Sequence, residues 1–283
     1  MGEALGKDAK ARGGTFLVNA GDLTSEAASA DIATAKGYLD VFGEYGRDYF
    51  VVRGNHDRPH DTDESASCSP VAGHDGYHDC FRDAFFPASG PTWWSRDLSG
   101  LRLLGLDTYD TIGSGGDNGV LSPAQMSFVR GELARDRDQP TLVIGHHPVT
   151  FASDATTVPP RTFDMNQPQA RELERLYART PGVFFQHSGH THRNKRTHAP
   201  GVPNVVFQEV SAVKEYPGGF TLLRVFAGGY TLNFYKFRSL LAREWSERTR
   251  QAYFGGYPYY VAGTLADRNY SVARDFSGLR PHS

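Results

Sequence analysis

A chain of 283 residues, 39% hydrophobic and 22% charged, holds enough apolar material for one large α/β domain and a sizeable core. Its net charge is −2 and its Lys and Arg are dispersed, which excludes a broad nucleic-acid footprint. No apolar run approaches the roughly 20 residues of a membrane span. Residues 1–14 are polar and glycine-rich and show no signal-peptide pattern. The default location is therefore cytoplasmic, with export expected only if a further N-terminal segment carries the signal.

Short apolar runs alternate with amphipathic stretches. Residues 15–20 predict a buried strand ending at Gly21-Asp22, and Ile32, Ala35, Leu39 and Phe42 follow at helical spacing. Residues 49–52 predict a strand running into Gly54-Asn55-His56-Asp57, and residues 101–106 another that ends at Asp107. Ser122-Pro123-Ala124-Gln125 predicts a helix start, with Ser as N-cap, Pro at the first helical position and Gln completing a capping box. Residues 141–144 form a predicted strand ending at Gly145-His146-His147-Pro148. A helix marked by Leu173, Leu176 and Tyr177 closes at Pro181-Gly182, and residues 183–185 lead to Gly189-His190-Thr191-His192. Residues 204–210, 219–226 and 230–237 predict an antiparallel meander with Gly228-Gly229 as a hairpin turn. A helix over 240–250 and a stretch over 253–283 rich in Tyr, Gly and Arg follow. The expected organisation is a domain over 1–238 and a helical, aromatic segment over 239–283 packed on it.

Four strand ends each carry a polar cluster of metal-compatible residues. Of 11 histidines, five (His56, His146, His147, His190, His192) fall in three of these clusters, a concentration that a scattered distribution would not produce. Asp supplies a carboxylate able to bridge two cations, Asn a neutral carbonyl oxygen, and His an imidazole suited to Zn, Fe, Mn or Ni. His190 and His192 are two apart, so an extended segment would point both rings to one side and Thr191 to the other. With few carboxylates among the ligands, the loaded site would be net positive and suited to an anionic substrate such as a phosphate ester. Two metals about 3.5–4 Å apart can hold a phosphoryl group and lower the pKa of a bound water. His56, beside Asn55, is the right kind of group to protonate a leaving oxygen. Two long loops, 58–91 and 151–167, leave from the same strand ends, where open α/β sheets bind ligands.

These motifs resemble the calcineurin-like metallophosphoesterase superfamily over residues 15 to about 210. The Gly-Asn-His-Asp and Gly-His-Thr-His forms are most similar to its bacterial cyclic-nucleotide and glycerophosphodiester phosphodiesterase branch. The resemblance implies a metallo-dependent phosphatase fold, a pair of packed mixed β-sheets flanked by helices. It also implies hydrolysis of a phosphate ester, a phosphodiester first, by a metal-activated water at a binuclear site. Carried over, Asp22 would bridge two divalent or trivalent transition metals (Fe, Mn or Zn). Asn55, His146 and His190 would hold the second metal and His192 the first. His56 would be the general acid or the group that orients the phosphate. Beside the resemblance, Asp57 and Arg58 flank the site and could contact phosphate or hold His56, Asp57 being the second catalytic candidate, and Arg58 and His147 are the substrate-binding candidates. The family's opening Asp-x-His motif is not found before Gly21, where Asp8 is followed by Ala9 and Lys10. The expectation is a chain that begins after that strand, with its first metal position half built. A non-catalytic member and a phosphomonoesterase or nucleotidase are the competing readings.

The remaining candidates have plainer roles. His147, held extended by Pro148, is expected to support the site as much as touch substrate. His60, His74, His78, His187 and His198 are expected in loops or at the surface. Residues 113–119 are glycine-rich without the Gly-Lys-Ser/Thr of a phosphate-binding loop. Asp107 is expected behind the ligands. Cys68 and Cys80 fit either a disulfide or two free thiols. The expected partner is a small-molecule phosphate ester; substrate identity and oligomeric state are not legible. The aromatic residues Tyr253, Phe254, Tyr257, Tyr259 and Tyr260 are expected to contribute to specificity.

Overall fold

The computed structural model describes residues 1–25, 27–58, 79–86, 90–109, 118–158 and 165–279. Its first half runs α1 (Gly2–Ala11), β1 (Leu17–Asn19), α2 (Ser29–Asp40), β2 (Tyr49–Val51), α3 (Cys80–Phe85), β3 (Trp94–Leu98), β4 (Leu101–Gly105), α4 (Pro123–Arg135), β5 (Thr141–Ile144) and α5 (Phe151–Asp154). The second half runs α6 (Gln167–Ala178), β6 (Val183–Ser188), β7 (Lys195–Thr197), β8 (Val206–Glu209), β9 (Gly219–Phe226), β10 (Gly229–Lys236), α7 (Leu240–Glu247), α8 (Tyr257–Ala262), α9 (Leu265–Arg268) and β11 (Asn269–Ala273).

Among the described residues the largest sheet has the order β3-β4-β5-β6-β8-β7. Its inner strands are parallel and its two edges antiparallel. The inner strands are apolar on both faces because both faces are covered. Leu103, Leu142, Ile144, Phe184 and Val206 pack toward β1, β2 and the β9-β10-β11 sheet, with Phe50, Tyr230, Phe237 and Phe276. Leu104, Val143, Val183 and Phe207 point the other way, onto Met126, Val129 and Leu133 of α4 and Leu173 and Tyr177 of α6. Each such side chain contributes roughly 1.5–3 kcal/mol by leaving water. The result is packed β layers flanked by helices, as the resemblance implies.

Local signals explain several boundaries. Ser122 caps α4, its side chain accepting from Gln125 N at 3.2 Å, and the Gln125 amide Nε2 donates to Asp107 O at 2.8 Å. The Gln125 side chain thereby ties the helix start to the end of β4. Residues 1–14, glycine-rich in sequence, contain a helix whose glycines permit a close approach. A Cβ on Gly2 would lie 2.6 Å from Tyr38 Cβ, and one on Gly6 would lie 3.4 Å from Phe42 N, so α1 beds down on α2. Asp8 on that helix accepts from Arg238 N at 2.7 Å, fastening α1 to the end of β10.

The predicted meander is corrected. Only β9 and β10 form the hairpin; β8 joins the large sheet parallel to β6. Val206 and Phe207 are buried on opposite faces, the mark of an inner strand rather than of a half-exposed meander strand. The third strand of the smaller sheet is β11, antiparallel to β10, drawn from the stretch beyond residue 253. Gly229, at φ 137°, faces Ala273 across that pair, and a Cβ there would collide with Val272 O. The edge strands β3 and β7 have no counterpart in the sequence reading. Cys80 at the head of α3 is disulfide-bonded, and Cys68 lies outside the described residues.

Candidate metal centre

Two glycines let the ends of β1 and β2 touch. Gly21 and Asp22 both have positive φ, 93° and 54°, and fold the chain back just after the strand. A Cβ on Gly21 would stand 2.6 Å from Gly54 N and 2.7 Å from His146 Nδ1, and one on Gly54 would run into Asp22 Oδ1. Asn19 Oδ1 accepts from Gly21 N at 2.8 Å, and Asp22 Oδ1 accepts from His56 N at 3.1 Å, which pins the Asp22 carboxylate over the turn Asn55–Asp57.

Three donor atoms then converge on one nitrogen. His146 Nε2 lies 3.2 Å from Asp22 Oδ2, 3.1 Å from Asn55 Oδ1 and 3.0 Å from His190 Nδ1. Its other nitrogen, Nδ1, donates to Ala20 O at 2.6 Å, so Nε2 is the nitrogen that faces the other three groups. Among the described residues, Asp22, His146 and His190 form a group whose ligand atoms lie within 4.8 Å of one another.

The electrostatics agree. Burial works against charge on Asp22, yet the adjacent His146 holds its carboxyl well below the usual range. Burial would lower His146, and the Asp22 carboxylate raises it above its ordinary value. Burial, with His147 and His146 as neighbours, holds His190 well below the ordinary histidine value and therefore neutral. Facing oxygen and imidazole lone pairs, with a carboxylate held ionised, stabilise positive charge at their centre. The mixed Asp, Asn and His set suits a transition metal.

The Gly-His-Thr-His loop departs from the expected extended form. His190 and His192 have φ of 63° and 54°, a conformation uncommon for non-glycine residues, so they do not alternate as strand neighbours would. His190 joins the cluster. His192 turns its Nδ1 to Glu215 Oε2 at 3.0 Å, and the same oxygen accepts from the Tyr257 hydroxyl. Burial would raise Glu215, but these two contacts hold it down to about 2. Thr191 does face away, donating to Glu209 Oε2 at 2.7 Å. Arg193 donates to that carboxylate through Nε at 2.6 Å and Nη2 at 3.2 Å, and also to Ser153 O and Thr156 O beside α5.

The other candidates lie around this cluster. His56, half-buried, sets its Nδ1 on Ser25 O at 2.9 Å, leaving Nε2 as its second nitrogen. Asp57 is 1% exposed and accepts from Gly54 N at 2.9 Å and Thr24 N at 3.1 Å. Burial and the charge of Asp22 push its carboxyl up to about 6. His147, expected at substrate, is fully buried. Its Nδ1 meets Thr108 Oγ1 at 2.7 Å, and its ring lies 4.5 Å from that of His190, centroid to centroid. Arg58 is 6% exposed, with its guanidinium 6.0 Å from the Tyr109 ring, which in turn stacks on His147. Asp107 is 3.1 Å from the buried Arg53, whose Nη2 donates to Asp79 at 2.6 Å, and stands behind the strand ends.

His187 lies within β6 rather than in a loop, and His60, His74 and His78 fall outside the described residues. Of the aromatic segment, Tyr257 reaches Glu215, while Tyr259 and Tyr260 line a cleft of about 720 Å³ shared with Tyr216, Lys195 and Arg250. Glu215, Glu209 and Arg193 carry no motif of their own, and no sequence signal marked them; Tyr257 stood out only as one of the aromatic residues of the C-terminal stretch.

Comparison with known proteins bears on the family and the fold. The profile of the calcineurin-like phosphoesterase family matches residues 3–194. A dimetal phosphatase from Danio rerio is similar in structure, with a TM-score of 0.55 and 15% identity over 82% of this chain and 85% of that one; at that identity the likeness speaks to the fold alone. Phosphopantetheinyl hydrolase from Mycobacterium tuberculosis aligns with a TM-score of 0.47 and 17% identity over 70% of this chain and 78% of that one, too weakly to carry an argument. No curated protein matches the chain. The family match takes in every strand end that bears a candidate ligand, from Asp22 to His192, and the chain belongs to the calcineurin-like phosphoesterases, whose shared chemistry is metal-dependent hydrolysis of phosphate esters.

Proposed function

We propose that this chain hydrolyses a phosphodiester at a two-metal site. The observation that carries the reading is the convergence of Asp22, Asn55 and His190 on the Nε2 of His146, all within 3.2 Å. These four would hold one cation, and Asp22 and His192 would contribute to a second, of the Fe, Mn or Zn class. Cations bound there supply a polarised phosphoryl group and a water acidic enough to act as nucleophile near neutral pH. The preference for a diester rests on the Gly-Asn-His-Asp and Gly-His-Thr-His forms, which resemble the phosphodiesterase branch.

The chain's own residues complete the chemistry. Ser25 O accepts from His56 Nδ1 and orients the ring so that, as imidazolium, it would give the Nε2 proton to the departing alkoxide oxygen as water adds to phosphorus and the P–O bond breaks. Asp57, turned to backbone N–H groups, keeps Asn55 and His56 in place rather than moving a proton. His147 and Arg58, both buried, pack with the half-buried Tyr109 beside His190 and act as its support rather than as substrate contacts.

The test is metal content together with turnover of bis(p-nitrophenyl) phosphate and p-nitrophenyl phosphate. Replacing His56 by Ala should leave metal content unchanged and lower kcat on an alkyl phosphodiester by roughly 10²–10⁴-fold. Metal-loaded wild-type protein that turns over neither ester would replace the reading with a non-catalytic one. Turnover of the monoester alone would make the protein a phosphomonoesterase.

A further inference from the structure

The segment beyond β10 reaches the loop of residues 192–194 at successive residues, the first through Glu215 of the β8–β9 connection. His192 meets Glu215, and Glu215 meets the hydroxyl of Tyr257, the first residue of α8. Arg193 sets its guanidinium 5.2 Å from the ring of Tyr260. Asn194 donates its backbone N at 2.9 Å and its side-chain amide at 3.3 Å to Val261 O, near the other end of α8. Gly263 follows at φ 61°, and a Cβ there would collide with Asn194 O. Three consecutive residues of the loop thus lean on one short helix. Glu215 is itself anchored, since Tyr216 N donates to Thr249 Oγ1 at 2.9 Å.

We propose that Glu215 and Tyr257 are positioning residues for His192, fixing its ring so that Nδ1 carries the proton and Nε2 presents a lone pair to the first metal. This rests on the role proposed above for His192 as a ligand. A histidine that donates its far N–H to a carboxylate is held in one tautomer and orientation and becomes a stronger ligand. The Tyr257 hydroxyl, donating to the same Glu215 oxygen, stops the carboxylate from turning away. The holder of His192 comes from a segment 23 residues further on, locked by a helix 42 residues beyond Glu215. The C-terminal segment is then part of the metal centre rather than an appendage on it.

The experiment is calorimetric titration of the metal-stripped full chain with Mn²⁺, resolving two equivalents, for wild type, Glu215→Gln and Tyr257→Phe. Gln keeps an acceptor oxygen and nearly the same volume but loses the charge. The weaker equivalent should lose roughly 10–100-fold in affinity in Glu215→Gln and less in Tyr257→Phe, with the tighter equivalent unchanged. Thermal melts without metal check that each variant folds, and Tyr257→Phe keeps the test alive if the Gln variant does not. Two equivalents bound by both variants as by wild type would overturn the positioning role and leave the two-metal reading intact. A wild-type chain that binds only one equivalent would overturn both, because His192 would then hold nothing.

Discussion

Arg193 joins three parts of the molecule that would otherwise drift apart. Its guanidinium reaches Glu209 on β8 through two nitrogens and the carbonyls of Ser153 and Thr156 beside α5, while its backbone belongs to the ligand loop. Arg193 and Glu209 are only 3% and 2% exposed. Replacing Arg193 by Met removes the cation but strands the Glu209 carboxylate, leaving it only the Thr191 hydroxyl among these contacts. Breaking a buried, hydrogen-bonded ion pair from one side costs about 3–5 kcal/mol. In a chain of this size that lowers Tm by roughly 10 °C.

The double variant Arg193→Met, Glu209→Leu removes the stranded charge. It should recover about 2 kcal/mol, not the whole loss, because the Ser153 and Thr156 carbonyls still lack their donor. Urea unfolding of the metal-free protein measures this without interference from metal linkage. A single variant that costs less than about 1 kcal/mol, or a double variant no more stable than the single, would refute the clamp.

Two further outcomes follow from the same geometry. Burial holds His187 on β6 down to about 4, against 6.5 in the unfolded chain, so the folded state excludes a proton that the unfolded state takes up. Its contribution is complete above pH 6.5 and is lost as pH falls toward 4, at most about 3 kcal/mol. His187→Gln should flatten the drop in urea midpoint between pH 7 and pH 5, and an unchanged drop would count against it. Gly54→Ala drives a Cβ into Asp22 and should abolish metal-induced stabilisation, about 2.7 kcal/mol for wild type at 100 times Kd. Gly37→Ala in α2, with open space around the new Cβ, should keep that stabilisation and add about 0.5–1 kcal/mol. Equal metal responses in the two variants would show that the Gly21–Gly54 approach is not what places Asp22.

Why the strand ends were legible and their holders were not has a physical cause. Strands buried on both faces are apolar throughout, so residues 49–52 and 141–144 stand out as runs, and the chain must place polar residues where each run meets its loop. That puts Asp22, Asn55, His146 and His190 next to a visible landmark. The direction of a side chain beyond the landmark depends on backbone dihedrals that residue type does not announce. His192 follows His190 by two, yet both are left-handed, and the alternation argument that would have pointed the rings together fails. Nor does anything local to Val206 or Glu215 say which sheet the one will join or which histidine the other will hold, since both depend on how distant segments dock.

The same distinction bears on the first metal position, which the ligand motifs alone lead one to expect half built. The sequence supplies no Asp-x-His pair before Gly21, and Asp8, the nearest earlier carboxylate, is committed to Arg238 N. Judged by ligand motifs alone, His192 would be left with Asp22 as partner at a weak site. The structure adds a carboxylate behind His192 and a tyrosine behind the carboxylate. A ligand oriented in this way loses less rotamer freedom on binding a cation and donates a better lone pair. Under the ligand role proposed for His192, affinity at that position would be set by the contacts of residues 192–215–257 as much as by the count of ligands, and a titration that resolves the two equivalents would read that contribution.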